Sequence, residues 1–305
     1  MQLIGWRPGV ATNRPNDTLL FIALVIPLVA CISAGSTVNA DEGKTKSNQP
    51  ASTDSDTDQP SKTSSKSQQK TPHAAAKKTI EVLLITGGCC HNYGYQTNAM
   101  QRGMKRVCDQ MDIDLRWTIV NKGGKGTHAI IDLYDNPKWA DEFDVVIHNE
   151  CFAKTNDADY IRKITTPHKK GTPAVVIHCA MHTYRDAKID DWRQFLGVTS
   201  RRHDHQSRYP VKTLVSDHVV MKGFPADYVS QKDELYIIEK LWPSATALAT
   251  SESEKSGKAH PVIWVNQYGK ARVFGTTYGH SDETFGDDAF LQLLSRGTLW
   301  AAGAL

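Results

Sequence analysis

Four short apolar runs, each ending in polar or glycine residues, are the feature of this sequence that most restricts its fold. They are rich in branched aliphatic side chains, which is typical of strands buried on both faces of a sheet. The runs are IEVLLITGG (80–88), LRWTIV (115–120), DVVIHNE (144–150) and AVVIHCA (174–180), and polar or helical-looking stretches separate them. Strands that alternate with helices predict an α/β fold with a doubly wound, mostly parallel sheet.

Helix signals lie between these runs. The first helix is predicted over about Gln96–Met111 and a later one over Asn156–Lys169. Asp157 suits the start of the later helix, and Gly171 followed by Pro173 suits its end. Both helices fit the crossover connections that a parallel sheet needs.

The C-terminal third completes the predicted domain. The segment PVIWVNQYGKARVFGTTYG (261–279) predicts a β-hairpin with its turn near Gly269. The final segment has apolar residues at helical spacing, and Asp287 or Asp288 could cap this helix. The sequence therefore predicts a single folded domain over residues 79–305.

The N-terminus has the features of an export signal. Residues 18–30, TLLFIALVIPLVA, are apolar without interruption but short for a membrane-spanning helix, which suits the core of a signal peptide. Residues 1–40 could be cleaved off after Ala40, or a lipoprotein signal could end before Cys31, or the segment could remain as an uncleaved anchor. We expect an exported protein, periplasmic, extracellular or lipid-anchored to the cell surface, with membrane contact only through this leader.

The segment 41–78 contains no branched aliphatic side chain and no Phe, Tyr or Trp. It consists almost entirely of small and polar residues, which cannot bury enough apolar surface to offset the entropy of ordering, so we predict a disordered linker. Residues 79–305 then carry 27 basic and 27 acidic residues. A nucleic-acid partner is not expected for a folded part without a basic surplus.

Histidines recur where the predicted strands end. Ligands of an open parallel sheet bind outside the carboxyl ends of its strands. The polar residues at these ends include His91, His148, Glu150, His178 and His280. Alternation along its strand predicts that His148 is buried in the core, whereas the other four are candidates for a catalytic or ligand-binding site.

A second candidate group is His203-Asp204-His205. In an extended chain both imidazoles lie on one face and Asp204 lies on the other. His203 and His205 could hold a divalent metal ion such as zinc, could contact a polyol or an anion, or could belong to an exposed basic patch beside Arg201 and Arg202.

The sequence KDELY places Asp233 and Glu234 next to each other, with Tyr236 close behind. Two neighbouring carboxylates could complete a metal shell or act as general acid and base. An acidic pair at the start of a helix is the competing interpretation.

Cys179 follows a predicted strand and precedes His280, which is the chain order of a Cys–His amidotransferase. Its neighbours His178 and Ala180 argue against that role, because a nucleophile elbow requires glycines around the nucleophile. We expect a buried structural thiol. The five cysteines of the folded part, Cys89, Cys90, Cys108, Cys151 and Cys179, leave at least one thiol unpaired even if Cys89 and Cys90 are oxidised.

The segments VLLITGG, HCAMHTYR, RRHDH, KDELY and the closing block HPVIWVNQYGKARVFGTTYGHSDETFGDDAFLQLLSRGTLWAAG resemble the ThuA-like (trehalose utilisation) family over essentially all of residues 79–305. The resemblance implies the flavodoxin-like, class I glutamine amidotransferase-like fold and a bacterial protein of carbohydrate utilisation. The resemblance assigns no roles to individual residues. The positions that match the motifs of the family are His178, His203, His205, Asp233, Glu234, Tyr236 and His280.

Two classes of function follow. The first is an enzyme, a hydrolase, lyase or isomerase, that acts on a sugar such as trehalose or on a keto-sugar derivative. In it His178, Asp233, Glu234 and His280 are the catalytic candidates, while His91, Glu150, His203, His205 and Tyr236 are the ligand-binding candidates. The second is a non-catalytic carbohydrate-binding or accessory protein, which needs only hydrogen-bond partners for hydroxyl groups and aromatic platforms such as Tyr93, Tyr184, Trp264 or Tyr278.

Overall fold

A large mixed sheet forms the centre of the protein. The computed structural model describes residues 77–305. The strands are β1 (Lys78–Gly88), β2 (Ile113–Lys122), β3 (Val145–Cys151), β4 (Ala174–Ile177), β5 (Val198–Ser207), β6 (Lys212–Thr213), β7 (Asp233–Leu241), β8 (Ala245–Glu252), β9 (Ala259–Tyr268) and β10 (Ala271–Thr276). The eight-stranded sheet has the order β2-β1-β3-β4-β10-β9-β8-β6, and β5 and β7 pair separately as an antiparallel ribbon.

The first five strands of this order run parallel to one another. The order 2-1-3-4 with a further parallel strand in fifth place is the flavodoxin-like arrangement. Beyond β10, the strands β9, β8 and β6 extend the sheet with antiparallel pairs. The predicted doubly wound, mostly parallel α/β fold is therefore confirmed.

Helices cover both faces of the sheet. They are α1 (Tyr93–Asp109), α2 (Ala158–Lys170), α3 (Asp191–Leu196), α4 (Asp282–Gly286) and α5 (Asp288–Ala301). Along β1, Val82 faces the core formed with α1 and α5, and Leu83 faces the core formed with α2 and α3. This alternation buries both faces of the strand, as its continuous apolar run predicts.

Most helix limits follow the sequence signals. The side chain of Asp157 caps α2 by accepting a hydrogen bond from the Tyr160 amide at 2.7 Å, and Asp287 caps α5 in the same way. Helix α1 begins at Tyr93, three residues before its predicted start, because the side chain of Asn92 accepts a hydrogen bond from the Tyr95 amide.

Three local features complete the sequence-based interpretation. Between β2 and β3 the chain forms a 3₁₀ turn at Asp132–Asp135. The acidic pair of KDELY opens strand β7 and does not begin a helix. In addition, β4 ends at Ile177, and a 3₁₀ turn at His178–Met181 follows directly.

The expected leader and most of the expected linker lie outside the described residues. Among residues 77–305, none of the helices combines the length and the apolar character needed to cross a membrane.

Candidate functional site

Five polar side chains converge at the carboxyl edge of the parallel strands. His91 follows β1, His178 follows β4 and His280 follows β10, while His203 and Glu234 reach the same place from the β5–β7 ribbon. We call these five residues the Glu234 cluster. The Oε2 atom of Glu234 lies 3.6 Å from Nε2 of His178, 3.3 Å from Nδ1 of His280 and 3.5 Å from Nε2 of His203.

His178 is held in one orientation by its backbone and by one hydrogen bond. Its φ of 44° is in the left-handed region that non-glycine residues rarely adopt, which points to a functional constraint. Its Nδ1 lies 2.6 Å from the Thr277 carbonyl oxygen. Since a carbonyl only accepts, Nδ1 carries a proton, and Nε2 is the ring nitrogen that faces Glu234. That Nε2 is buried and has no hydrogen-bond partner.

His280 is positioned through the backbone of the loop that follows β10. Gly279 has a φ of 136°, and a Cβ there would lie 2.8 Å from the Ile177 side chain, so the loop needs glycine. The carboxylate of Asp233 accepts hydrogen bonds from the amides of Gly279 at 2.9 Å and His280 at 3.2 Å. The side-chain amide nitrogen of Gln206 contacts Nε2 of His280 at 2.7 Å.

Electrostatics favour a charged pair within the cluster. Burial opposes the charge of Glu234, but hydrogen bonds and the charges of His178 and His280 outweigh it and lower the pKa of this carboxyl. Burial opposes the charge of His280 as well, yet Glu234 raises its pKa above the usual value. At neutral pH Glu234 is therefore ionised.

His91 has the opposite character. Its ring makes edge contacts with those of His178 and His280, with centroids 4.9 and 4.8 Å away. Burial, and then the positive charges of His178 and His280, lower the pKa of His91 to about 2. It is therefore a neutral imidazole at physiological pH, and its buried Nδ1 has no partner.

The cluster has the donor set and the spacing of a divalent-cation site. His178, Glu234 and His280 each offer one ligand atom, and the three atoms lie within 4.8 Å of one another. In a tetrahedral zinc site with metal–ligand distances of about 2.0–2.1 Å, neighbouring ligand atoms are about 3.4 Å apart. The distances of 3.3 and 3.6 Å to Glu234 match that spacing. Imidazole and carboxylate ligands suit zinc and similar ions.

Tyr236 packs against one side of the cluster. Its ring stacks on His182 with centroids 4.1 Å apart, lies 4.6 Å from the ring of His178, and its hydroxyl donates to the Cys179 sulfur at 3.5 Å. Burial raises its pKa well above the usual value. Tyr236 is thus a neutral side chain that packs against His178, and its predicted ligand-binding role stays a prediction.

Two predicted ligand-binding residues lie apart from the cluster. Glu150 is fully buried, Nδ1 of His148 contacts its carboxyl at 2.9 Å, and burial raises its pKa. The side chain of His205 pairs with Glu254 at 2.8 Å instead of approaching Glu234. The structure therefore does not bring His203 and His205 to a common carboxylate, and their joint metal site stays a prediction. His148 is a core residue, as its alternation predicts.

Asp233 lies directly beside the cluster, with its Oδ1 atom 3.7 Å from Nδ1 of His178. It is fully buried and accepts hydrogen bonds from the Thr284 hydroxyl at 2.7 Å and from the Glu234 amide at 2.8 Å, besides the two loop amides. With its oxygens occupied in this way, Asp233 positions the His280 loop and Glu234. Its predicted role as a catalytic group remains untested.

Sequence reasoning missed two contributors. Gln206 contacts His280 because strand β5 has register shifts between Ser200 and Gln206, and such irregularities leave no simple alternation signal. His182 stacks on Tyr236, and its Nε2 lies 3.2 Å from the Ser200 hydroxyl. The sequence feature that could have indicated His182 as a site residue is its position four residues after His178.

The aromatic residues suggested as sugar platforms are buried. Tyr93, Tyr184, Trp264 and Tyr278 are at most 5% exposed, because the sheet and helices cover their rings. None of the four offers an open face on which a sugar ring could stack.

Cys179 is also buried, with 5% exposure, and its sulfur lies 3.0 Å from Nε2 of His91 rather than beside His280. A hydrogen bond to Cys151 and burial raise its pKa, which disfavours the nucleophilic thiolate. We therefore expect Cys179→Ala to lower the unfolding free energy by about 1 kcal/mol. Wild-type protein should release no ammonia from glutamine in a coupled assay. Release that depends on Cys179 would contradict this expectation.

The strand order and the carboxyl-edge site define a protein of the class I glutamine amidotransferase-like fold. The family model for ThuA, described as trehalose utilisation, matches residues 119–301, so the chain belongs to the ThuA family. No curated protein matches the chain.

Two solved structures support this fold. A ThuA-like protein from Parabacteroides merdae is 22% identical, with a TM-score of 0.55 over 74% of this chain and 90% of the other. A ThuA-like protein from Bacteroides uniformis is 17% identical, with a TM-score of 0.55 over 76% of this chain and 95% of the other. At these identities the likeness concerns the fold.

Proposed function

We propose that this protein is an exported enzyme that acts on a sugar, such as trehalose or a keto-sugar derivative, through acid–base chemistry assisted by a divalent cation at the Glu234 cluster. The family description supports the carbohydrate substrate, and the apolar run 18–30 supports export. The observation that carries the proposal is the approach of three imidazole nitrogens to one carboxylate oxygen at 3.3–3.6 Å.

His178, Glu234 and His280 are the residues that would hold the cation. Nε2 of His178 has no hydrogen-bond partner and faces a carboxylate oxygen that only accepts, so either a proton on Nε2 or a cation between the two atoms would make this contact favourable. The Thr277 carbonyl accepts the Nδ1 proton and so leaves Nε2 as the nitrogen that could bind a cation, and the histidine ligands of metal sites are commonly held by such a bond from their other ring nitrogen. When bound, the cation would polarise a hydroxyl or carbonyl oxygen of the substrate.

His91 would bind the substrate, and His203 would transfer a proton. The partnerless Nδ1 of His91 is suited to a hydrogen bond with a sugar hydroxyl. The side chain of His203 is 40% exposed and lies 3.5 Å from Glu234, so it connects the cluster with water and can carry a proton in or out. Hydrolysis, elimination and isomerisation of a sugar all require such a transfer.

A substrate screen tests this proposal. Purified full chain is incubated with trehalose, other disaccharides and their keto derivatives, with added zinc or with a chelator, and products are followed by NMR. We expect conversion of at least one of these sugars that the chelator abolishes and that zinc restores. Binding of a sugar without conversion would instead identify a non-catalytic carbohydrate-binding protein. If none of these sugars is bound or converted, the sugar proposal is rejected.

A further inference from the structure

Four cysteines lie where β1, β3 and β4 end, next to the Glu234 cluster. Cys89 and Cys90 form a disulfide, while Cys151 and Cys179 are free thiols. Strands β1 and β3 pair so that Gly88 lies opposite Cys151, and a side chain at Gly88 would collide with the Cys151 carbonyl. Glycine at this position therefore allows the disulfide to approach the Cys151 thiol.

The disulfide and the thiol are close enough to react. The Sγ atom of Cys151 lies 3.7 Å from the Sγ atom of Cys89. Cys151 is buried, Cys89 is partly exposed and Cys90 is exposed. If Cys151 attacked Cys89, the departing sulfur would be the one that water can solvate.

The surroundings also select Cys151 as the attacking group. A hydrogen bond with the Cys179 thiol lowers the pKa of Cys151, against the opposing effect of burial. A thiolate is the nucleophile in disulfide exchange, and Cys151 is the thiol whose sulfur contacts the Cys89 sulfur.

We propose that Cys89, Cys90 and Cys151 form a thiol–disulfide exchange site, in which Cys151 displaces Cys90 from Cys89. The Cys151–Cys89 bond forms as the Cys89–Cys90 bond breaks, so one disulfide replaces another without any oxidant or reductant. Cys151 loses its proton, and the Cys90 thiolate recovers one from water. The product has a buried disulfide and an exposed Cys90 thiol, a site for modification by thiol-reactive molecules.

The exchange would also change the surroundings of the Glu234 cluster. In the Cys89–Cys151 form, Cys151 is no longer a thiolate that can accept a hydrogen bond from the Cys179 thiol. Cys179 contacts Nε2 of His91 at 3.0 Å and the Tyr236 hydroxyl at 3.5 Å. The exchange site therefore contacts the cluster through Cys179, but its chemistry does not depend on the proposed sugar function.

The test is alkylation of the native full chain with N-ethylmaleimide at pH 8, without reductant, followed by non-reducing peptide mass mapping. In wild type we expect alkylated Cys90 together with a Cys89–Cys151 disulfide. Cys151→Ala should keep the Cys89–Cys90 disulfide and lower Cys90 alkylation at least tenfold. Cys108→Ala removes a free buried thiol in α1 outside this group, and it should behave as wild type.

A second variant keeps the test decisive if Cys151→Ala does not fold. In Cys90→Ala, oxidised glutathione should produce a Cys89–Cys151 disulfide, as the Cys151 thiolate displaces glutathione from Cys89. Three results would overturn the proposal. They are an unalkylated Cys90 in wild type, equal Cys90 alkylation in wild type and Cys151→Ala, and no Cys89–Cys151 disulfide in Cys90→Ala.

Discussion

Glu234→Gln is expected to remove bound zinc from the protein, with affinity falling by about 100-fold or more. The amide keeps the size of the side chain but loses the negative charge that faces His178, His203 and His280. The fold should persist, because the backbone contacts of β7 do not depend on this carboxylate. Zinc content after dialysis and competition with a chromophoric chelator measure the effect.

The matched control for this change is Glu254→Gln. Glu254 is a half-exposed carboxylate that also pairs with a histidine, His205, but it lies outside the Glu234 cluster. We expect it to leave zinc affinity unchanged. Equal zinc binding by wild type and Glu234→Gln, or loss of zinc in Glu254→Gln alone, would place the cation elsewhere.

Asp233→Asn should have the largest effect on stability among the residues around the site. The buried carboxylate accepts hydrogen bonds from the amides of Gly279, His280 and Glu234 and from the Thr284 hydroxyl. An amide side chain removes the charge from these bonds and turns an NH₂ group toward donors. We expect a loss of about 3 kcal/mol or more in unfolding free energy. For a domain of this size that corresponds to a Tm decrease of roughly 6–12 °C.

Asp159→Asn provides the comparison. Asp159 pairs with Arg162 on the exposed surface of α2, where its side chain is 91% exposed. Its replacement should change the unfolding free energy by no more than about 0.5 kcal/mol. Thermal unfolding monitored by circular dichroism compares the two variants. Similar Tm values for Asp233→Asn and wild type would mean that the His280 loop does not rely on Asp233.

The fold was largely predictable from the sequence, because parallel strands buried on both faces produce continuous apolar runs. The run 80–88 and the hairpin turn near Gly269 are examples in which local pattern and tertiary structure agree. The 3₁₀ turn at Asp132–Asp135 was not predicted, because the sequence analysis assigned no element between β2 and β3.

The candidate site was predictable only in part. Strand ends located His91, His178 and His280 at a common edge, because parallel strands end together. The separation of His205 from His203 was not predictable, since register shifts in β5 break the alternation on which the pairing rested. The burial of Glu150 beside His148 likewise depends on which face of β3 packs against α2 and α3.

A crystal structure of the full chain soaked with zinc and trehalose, with anomalous data at the zinc edge, tests most directly whether the Glu234 cluster binds a cation and a sugar. We expect an anomalous peak between Nε2 of His178, Nδ1 of His280 and the Glu234 carboxylate, with sugar density against His91 and His203. A zinc peak at His203 and His205 with none at Glu234, or sugar bound away from the Glu234 cluster, would contradict it.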